Sequence, residues 1–276
     1  MTDELRYVYA VCHPLAVPLR PDLTGVAGAP PRQLAHDGLV AVVSPVPERD
    51  FAHEALRAHL EDLDWLAATA RAHQSVVAAL AAVTCPLPLR LATVFRDDSG
   101  VRAMLADESA RLRRILDRID GHVEWGVKVW LGDDGARRNG ARDSGATESG
   151  RAYLRRRQAQ ASAREESAER AEEFARRLHG DLAAYVTDSR IHPVQSPALT
   201  DPAWGRNILN GAYLVRRTRA EEFLELLARS RSTECAQEGL RVEVTGPWAA
   251  YSFTDDTGAD DTGADDMGRR DTDGPS

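Results

Sequence analysis

The sequence predicts an α+β protein of two modified ferredoxin-like domains, each an antiparallel sheet with helices packed on one face, followed by a disordered acidic C-terminal tail. Three observations predict it. Apolar residues recur with period two and then period 3.6, in the order strand, strand, helix, short strand, helix, strand, and later helix, strand, strand, helix, strand. Residues 132–150 hold five glycines and charges of both signs, as a flexible linker would. From Thr254 onward the chain carries eight aspartates, two arginines and almost nothing apolar to bury. The expected organisation is an N-terminal α+β domain over 1–131, a linker over 132–150, a C-terminal α+β domain over 151–253 that begins with a long helix, and a tail over 254–276. A length of 276 residues suits two domains at ~100–200 residues each, and each half can bury its own core.

Tyr7 to Cys12 reads as a first strand, and its apolar residues on both faces suggest a central one. A Pro- and Gly-rich connection from His13 to Pro31 follows, and Asp37-Gly38 turns the chain into a second strand, Leu39 to Val43. From about His53 to Val83 a stripe of Leu56, Leu60, Leu63, Ala67, Ala70, Val77 and Ala81 predicts one continuous helix. Pro86 and Pro88 stop it, so Leu89 to Phe95 becomes an irregular edge strand. Asp97, Asp98 and Ser99 are caps for a helix whose stripe is Val101, Met104, Leu105, Leu112, Ile115, Leu116 and Ile119. Val123 to Leu131 then alternates as a strand.

The long helix spans about Ala152 to Tyr185, with an apolar stripe only in its second half: Ala171, Phe174, Ala175, Leu178, Leu182 and Tyr185. Glu166–Arg170, Glu172–Arg176 and Glu173–Arg177 stand at i,i+4 in the favourable order, worth ~0.2–0.5 kcal/mol each. Strands near Arg190–Val194 and Ile208–Val215, a helix from Arg219 to Ser230 and a strand from Leu240 to Thr245 complete the second half. Gly246-Pro247 then stops the chain's last strand, and Trp248, Tyr251 and Phe253 follow at once. Three aromatics in that place either cap a core or offer an adhesive surface.

Composition excludes several classes of protein. An apolar share of 43% with 28% charged residues describes a soluble globular chain. The N-terminus is acidic where a signal peptide is basic, and no apolar run approaches the ~18–20 residues that span a bilayer. Cys12, Cys85 and Cys235 are odd in number and lack metal or redox spacing, which fits a reducing compartment. A cytoplasmic protein without a membrane segment is expected. The net charge is −8, of which the tail holds −6, so the body is nearly neutral and nucleic acid is not an expected partner. One lysine, Lys128, against 34 arginines reflects gene base composition rather than a binding task.

Chemistry-bearing constellations are missing from the sequence. His53, His59 and His73 share a predicted helix at steps that do not place two ligands on one face. Cys12 and His13 are strand neighbours and point apart. His122 and Glu124 share a strand face, with no nucleophile beside them in sequence. Gly25 and Gly28 lack the third glycine and the helix of a phosphate cradle. The paired aspartates of the tail do not have the spacing of a calcium loop. No catalytic residue, cofactor or metal site is read.

A resemblance supplies what the chemistry does not. Tyr7-Val8-Tyr9-Ala10-Val11, Leu87-Pro88-Leu89-Arg90-Leu91-Ala92-Thr93-Val94-Phe95, Val123-Glu124-Trp125-Gly126-Val127-Lys128-Val129, Gly150-Arg151-Ala152-Tyr153-Leu154 and Gly246-Pro247-Trp248 with Tyr251-Ser252-Phe253 occur in that order. Together they resemble the gas vesicle protein GvpL/GvpF family over about Tyr7 to Phe253. Where that family usually has two prolines between Trp and Tyr, this chain has Ala249 and Ala250. The resemblance implies the same duplicated α+β fold and a non-catalytic role as an assembly accessory protein or minor component of gas vesicles. It implies as partners the small hydrophobic shell subunit and other accessory proteins, in the cytoplasm and at the vesicle. Such a role needs apolar surface and sheet edges rather than a pocket. Leu87, Pro88, Leu89 and Arg90 on a proline-flanked edge, Arg151, Tyr153 and Leu154 at the start of the long helix, and Trp248, Tyr251 and Phe253 are the candidate interaction residues. Alternatives from other classes are a regulatory module that binds a small ligand in a cleft near residues 132–150, and an enzyme on a duplicated ferredoxin-like scaffold.

Overall fold

The computed structural model describes residues 4–132, 150–194, 204–231 and 239–255. The linker and tail readings therefore fall largely outside the described residues, as does Cys235. The first sheet contains β1 (Glu4–Cys12), β2 (Arg32–His36), β3 (Leu39–Pro47) and β4 (Leu87–Pro88) in the order β2-β3-β1-β4, with β5 (Val94–Phe95) also paired to β1. All its pairings are antiparallel. β1 is central, as its two apolar faces require. The β2–β3 hairpin closes on Asp37 and Gly38, both at positive φ (44° and 71°), the geometry of a type I′ turn. The sequence reading takes that turn correctly and misses the strand before it.

Helices cover both faces of this sheet, not one. α1 (Glu48–Phe51), α2 (His53–His59) and α3 (Leu63–Ala81) lie on one side, where Phe51, Val76, Val77 and Leu80 meet Tyr7, Tyr9, Val40 and Val42. On the other, α4 (Asp98–Asp107) and α5 (Ser109–Ile119) bring Val101, Leu105, Leu112, Ile115 and Leu116 against Val8, Val11, Ala41 and Val43. A sheet that is apolar on both sides leaves water only if both are covered. The stripe expected over Leu56 to Ala81 is also corrected. Asp62 accepts hydrogen bonds from the backbone N–H groups of Asp64 and Trp65, which starts a new helix and resets its facing. Leu63 is consequently 78% exposed, while Thr69, His73, Val76, Val77 and Leu80 are buried. The helix expected from Asp98 to Ile119 divides at Glu108, though its apolar stripe is buried much as read.

The second sheet contains β6 (His122–Leu131), β7 (Asp188–Ile191), β8 (Arg206–Arg216) and β9 (Leu240–Trp248) in the order β7-β8-β6-β9, again antiparallel throughout. α6 (Gly150–Tyr185) and α7 (Ala220–Arg231) pack on one face through Phe174, Leu178, Leu182, Phe223 and Leu227. The sequence reading assigns Val123–Leu131 to the first half. It belongs to the second sheet, where it pairs on both edges. Its Val123, Trp125, Val127 and Val129 face the α6–α7 layer. With β6 included, the second unit runs β-α-β-β-α-β. The two units share a core: Ala212, Leu214, Ala250 and Phe253 join the cluster built on α4, α5 and the first sheet.

α6 is packed only in its second half. Ala171, Phe174, Ala175, Leu178 and Leu182 are buried, whereas every described side chain from Arg151 to Glu166 is exposed. Glu166–Arg170 forms at 4.0 Å as expected. Glu172 turns instead to Arg206 of β8, at 3.2 Å, and Glu173 pairs with Arg176 at 2.6 Å.

Candidate functional site: the C-terminal clasp

The residues after β9 form a clasp that ties the two units together. β9 does not stop at Gly246-Pro247. Trp248 still stands opposite Glu124 of β6, with a register irregularity between Glu124 and Gly126. Proline is tolerated because β9 is an edge strand, whose missing donor costs no ladder bond. The Gly246–Pro247 peptide is cis. Gly246 sits at φ 127°, and a Cβ there would lie 2.8 Å from the Glu124 carbonyl oxygen and 3.1 Å from the Trp125 ring. Gly246→Ala is expected to cost about 1–3 kcal/mol, read as a lower urea midpoint at unchanged slope.

Beyond the strand the chain folds tightly. Ala250 has φ −77° and ψ 60°, and the Tyr251 N–H donates to the Ala249 carbonyl at 2.8 Å, an inverse γ-turn. Ala249 and Ala250 are buried in the clusters on opposite faces of the first sheet. Tyr251 is half-buried and its hydroxyl donates to Gln74 Oε1 of α3 at 2.7 Å. Phe253 is fully buried, with the Arg190 guanidinium 5.4 Å above its ring. Its carbonyl accepts from Arg118 of α5 at 2.7 Å. Thr254 and Asp255, read as the first residues of the disordered tail, are held too: the Thr254 carbonyl accepts from Arg111 and the Asp255 carbonyl from Arg118.

The centre of the clasp is Glu124. Its carboxylate accepts from the Ser252 backbone N–H at 2.8 Å and from the Ser252 hydroxyl at 2.7 Å, and His192 Nε2 stands 2.9 Å from that hydroxyl. A serine hydroxyl has one proton, here given to Glu124, so His192 is the donor to Ser252. This inverts the order of a hydrolytic triad, in which the histidine takes the serine proton and the carboxylate orients the histidine. The arrangement fastens the Ser252 segment to β6. Burial pushes the Glu124 carboxyl above its ordinary range, with the Ser252 hydrogen bonds and Arg190 acting against that shift.

His122, which shares the strand face, is also committed: Nδ1 contacts the Asp120 carbonyl at 2.7 Å and Nε2 the Thr187 hydroxyl at 2.8 Å. Cys12 is buried and its thiol is pushed up to about 12, which removes it from thiolate chemistry. Among the described residues no three His, Cys, Asp or Glu side chains group as a metal site would need. A cavity lined by Tyr185, Val186, Thr187, Val215, Arg216 and Arg219 measures about 70 Å³, far below the ~300–1,000 Å³ of small-molecule sites. The ligand cleft expected near residues 132–150 lies outside the described residues.

The chain as a whole is similar to known proteins. The profile of the family described as gas vesicle synthesis protein GvpL/GvpF matches residues 5–255. Gas vesicle protein L of Streptomyces sp. (strain CB03234) is 48% identical over 254 residues, covering 91% of this chain and 93% of that protein. The chain belongs to the GvpL/GvpF family. Gas vesicle protein F of the same Streptomyces strain is 29% identical over 266 residues, covering 90% of this chain and 99% of the relative. The crystal structure of GvpF from Anabaena sp. PCC7120 shares the fold, with a TM-score of 0.64 at 19% identity over 92% of this chain and 98% of that one. As a GvpL/GvpF protein the chain has a role in gas vesicle formation. No helix among its described residues is long and apolar enough to cross a membrane.

Against that frame of GvpL/GvpF architecture, the candidate interaction residues separate by accessibility. Leu87, Pro88 and Phe253 are buried, because β4 lies against β1 and Phe253 fills the shared core. Leu89 and Tyr251 are half-buried and Arg90 is exposed. Trp248 is 42% exposed, and Arg151, Tyr153 and Leu154 stand on the uncovered part of α6. The three C-terminal aromatics thus differ in burial: Phe253 is fully buried, Tyr251 half-buried and Trp248 exposed. Glu124, Ser252, His192, Arg118 and Gln74 were missed as partners of that segment. The signal was weak, because Glu124 shares its strand face with His122 and Lys128 and so reads as solvent-facing in sequence.

Proposed function

We propose that this protein is a non-catalytic assembly factor, or a minor vesicle component, that engages the hydrophobic gas vesicle shell subunit and other accessory proteins in the cytoplasm and at the vesicle. The supporting observation is Trp248. It stands exposed at the end of the edge strand β9, on backbone fixed by Gly246 and the Ser252–Glu124 bonds. A rigid aromatic beside an open strand edge suits β-augmentation, in which main-chain bonds supply affinity and the side chain an anchor. The family's role in vesicle formation supports the choice of partner.

Both units follow one ferredoxin-like plan in this reading. The orders β2-β3-β1-β4 and β7-β8-β6-β9 coincide when β1 is matched with β6. In the first unit a loop with a short 3-10 turn at Val26–Gly28 replaces the first crossover helix. The unit boundary then falls at Gly121.

The test is co-expression with the shell subunit, scored as subunit recovered in soluble complex. Trp248→Ala is expected to lower recovery about tenfold or more, as loss of an interface tryptophan does, with the melting temperature unchanged. Full recovery with Trp248→Ala would refute the assignment of this surface.

A further inference from the structure

The uncovered half of α6 has a pattern that identifies its occupant. Leu154, Ala161 and Ala168 follow at seven-residue steps and continue the seam of Ala175 and Leu182, which are buried against the second sheet. Leu154 is 65% exposed and Ala161 is exposed, so the apolar seam extends past what the body covers. Charge along this stretch is polarised. Residues 151–157 hold four arginines and no acid, whereas residues 165–173 hold five glutamates and one arginine. We propose that a second copy of this chain packs antiparallel on the α6 arm, across a two-fold axis at Ala161.

In that register Leu154 of one copy lies over Ala168 of the other, large on small, and Ala161 meets Ala161 where the helices approach most closely. Arg157 faces Glu165 of the second copy, and each basic end lies along an acidic one. A parallel pair would set arginine on arginine and glutamate on glutamate. The acidic tail of the same chain is the weaker occupant: it would meet the arginines but has almost nothing apolar for Leu154, and it would repel the glutamate half. The overlap of some 20 residues is about 30 Å long and rich in alanine, so the interface is small and the dimer dissociates at low concentration. This inference stands independently of Trp248 and its partner.

Sedimentation velocity of the full chain from low to high micromolar concentration tests it. The expected result is a monomer–dimer equilibrium that weakens between low salt and ~1 M salt, where screening shortens to about 3 Å. Ala161→Glu, which places two carboxylates on the axis, should raise the dimer Kd at least about tenfold with helix content unchanged. Arg157→Glu should weaken the dimer, and Arg157→Glu with Glu165→Arg in one chain should restore it, since these positions meet only between copies. Deleting residues 256–276 should leave the dimer intact. A monomer at every concentration, failure of the double reversal to rescue, or loss of association with the tail would each overturn the proposal.

Discussion

Phe253→Ala should destabilise the protein by about 3–5 kcal/mol, a large share of the ~5–15 kcal/mol that holds a domain folded. Phe253 is fully buried where Leu112, Ile115 and Leu116 of α5 meet Leu214 of β8, so truncation opens a cavity between the two units. Phe253→Leu keeps most of the volume and should cost less than about 1.5 kcal/mol. Urea unfolding of the two variants decides it. Equal midpoints for Phe253→Ala and the parent would mean that the clasp is not part of the core. The result bears on function as well. A combined Trp248 and Phe253 substitution loses folding and binding together, so only Trp248 reports on the surface.

Acid should destabilise the protein over a defined window. His73 is buried beside Tyr7, Tyr9 and Tyr251, and its Nδ1 stands 3.0 Å from the Tyr7 hydroxyl. That hydroxyl also accepts from the Ala92 N–H at 3.1 Å. Burial lowers the His73 pKa from 6.5 to about 4. Above pH 6.5 neither folded nor unfolded histidine is protonated, and the group is silent. Between 6.5 and about 4 the unfolded chain takes up a proton that the folded one refuses, so stability falls as pH falls. At about 1.4 kcal/mol per pH unit the loss reaches roughly 3 kcal/mol. The neighbouring tyrosines stay neutral throughout this window. Burial also lowers His179 and His192 and adds to the slope, whereas the raised Glu124 carboxyl opposes it. Stability measured against pH should show the slope reduced by about one proton in His73→Gln. An unchanged slope would reject His73 as its source.

The periodic signals were read well where they stand alone. The stripe from Val101 to Ile119, the second half of α6 and the two apolar faces of β1 each lie as their spacing required. The errors have local causes of another kind. Asp62 competes as a cap with the apolar stripe around it, and the cap decides where α3 begins. Gly246-Pro247 reads as a strand end, yet on a sheet edge it is carried within the strand. The edge expected around Leu87 is real, but its side chains serve the core.

What the sequence alone determined is the kind of most elements and the membership of the GvpL/GvpF family. Those follow from backbone sterics, side-chain periodicity and the order of short motifs, all properties of neighbouring residues. Only the tertiary structure decided which sheet takes β6, that Phe253 is buried while Trp248 is exposed, and that Glu124 fastens Ser252. Those depend on groups far apart in the chain, 128 residues in the case of Glu124 and Ser252. A buried carboxylate or aromatic announces that it needs a partner. Which partner it finds is settled by how sheets and helices pack, and that energy belongs to no single segment.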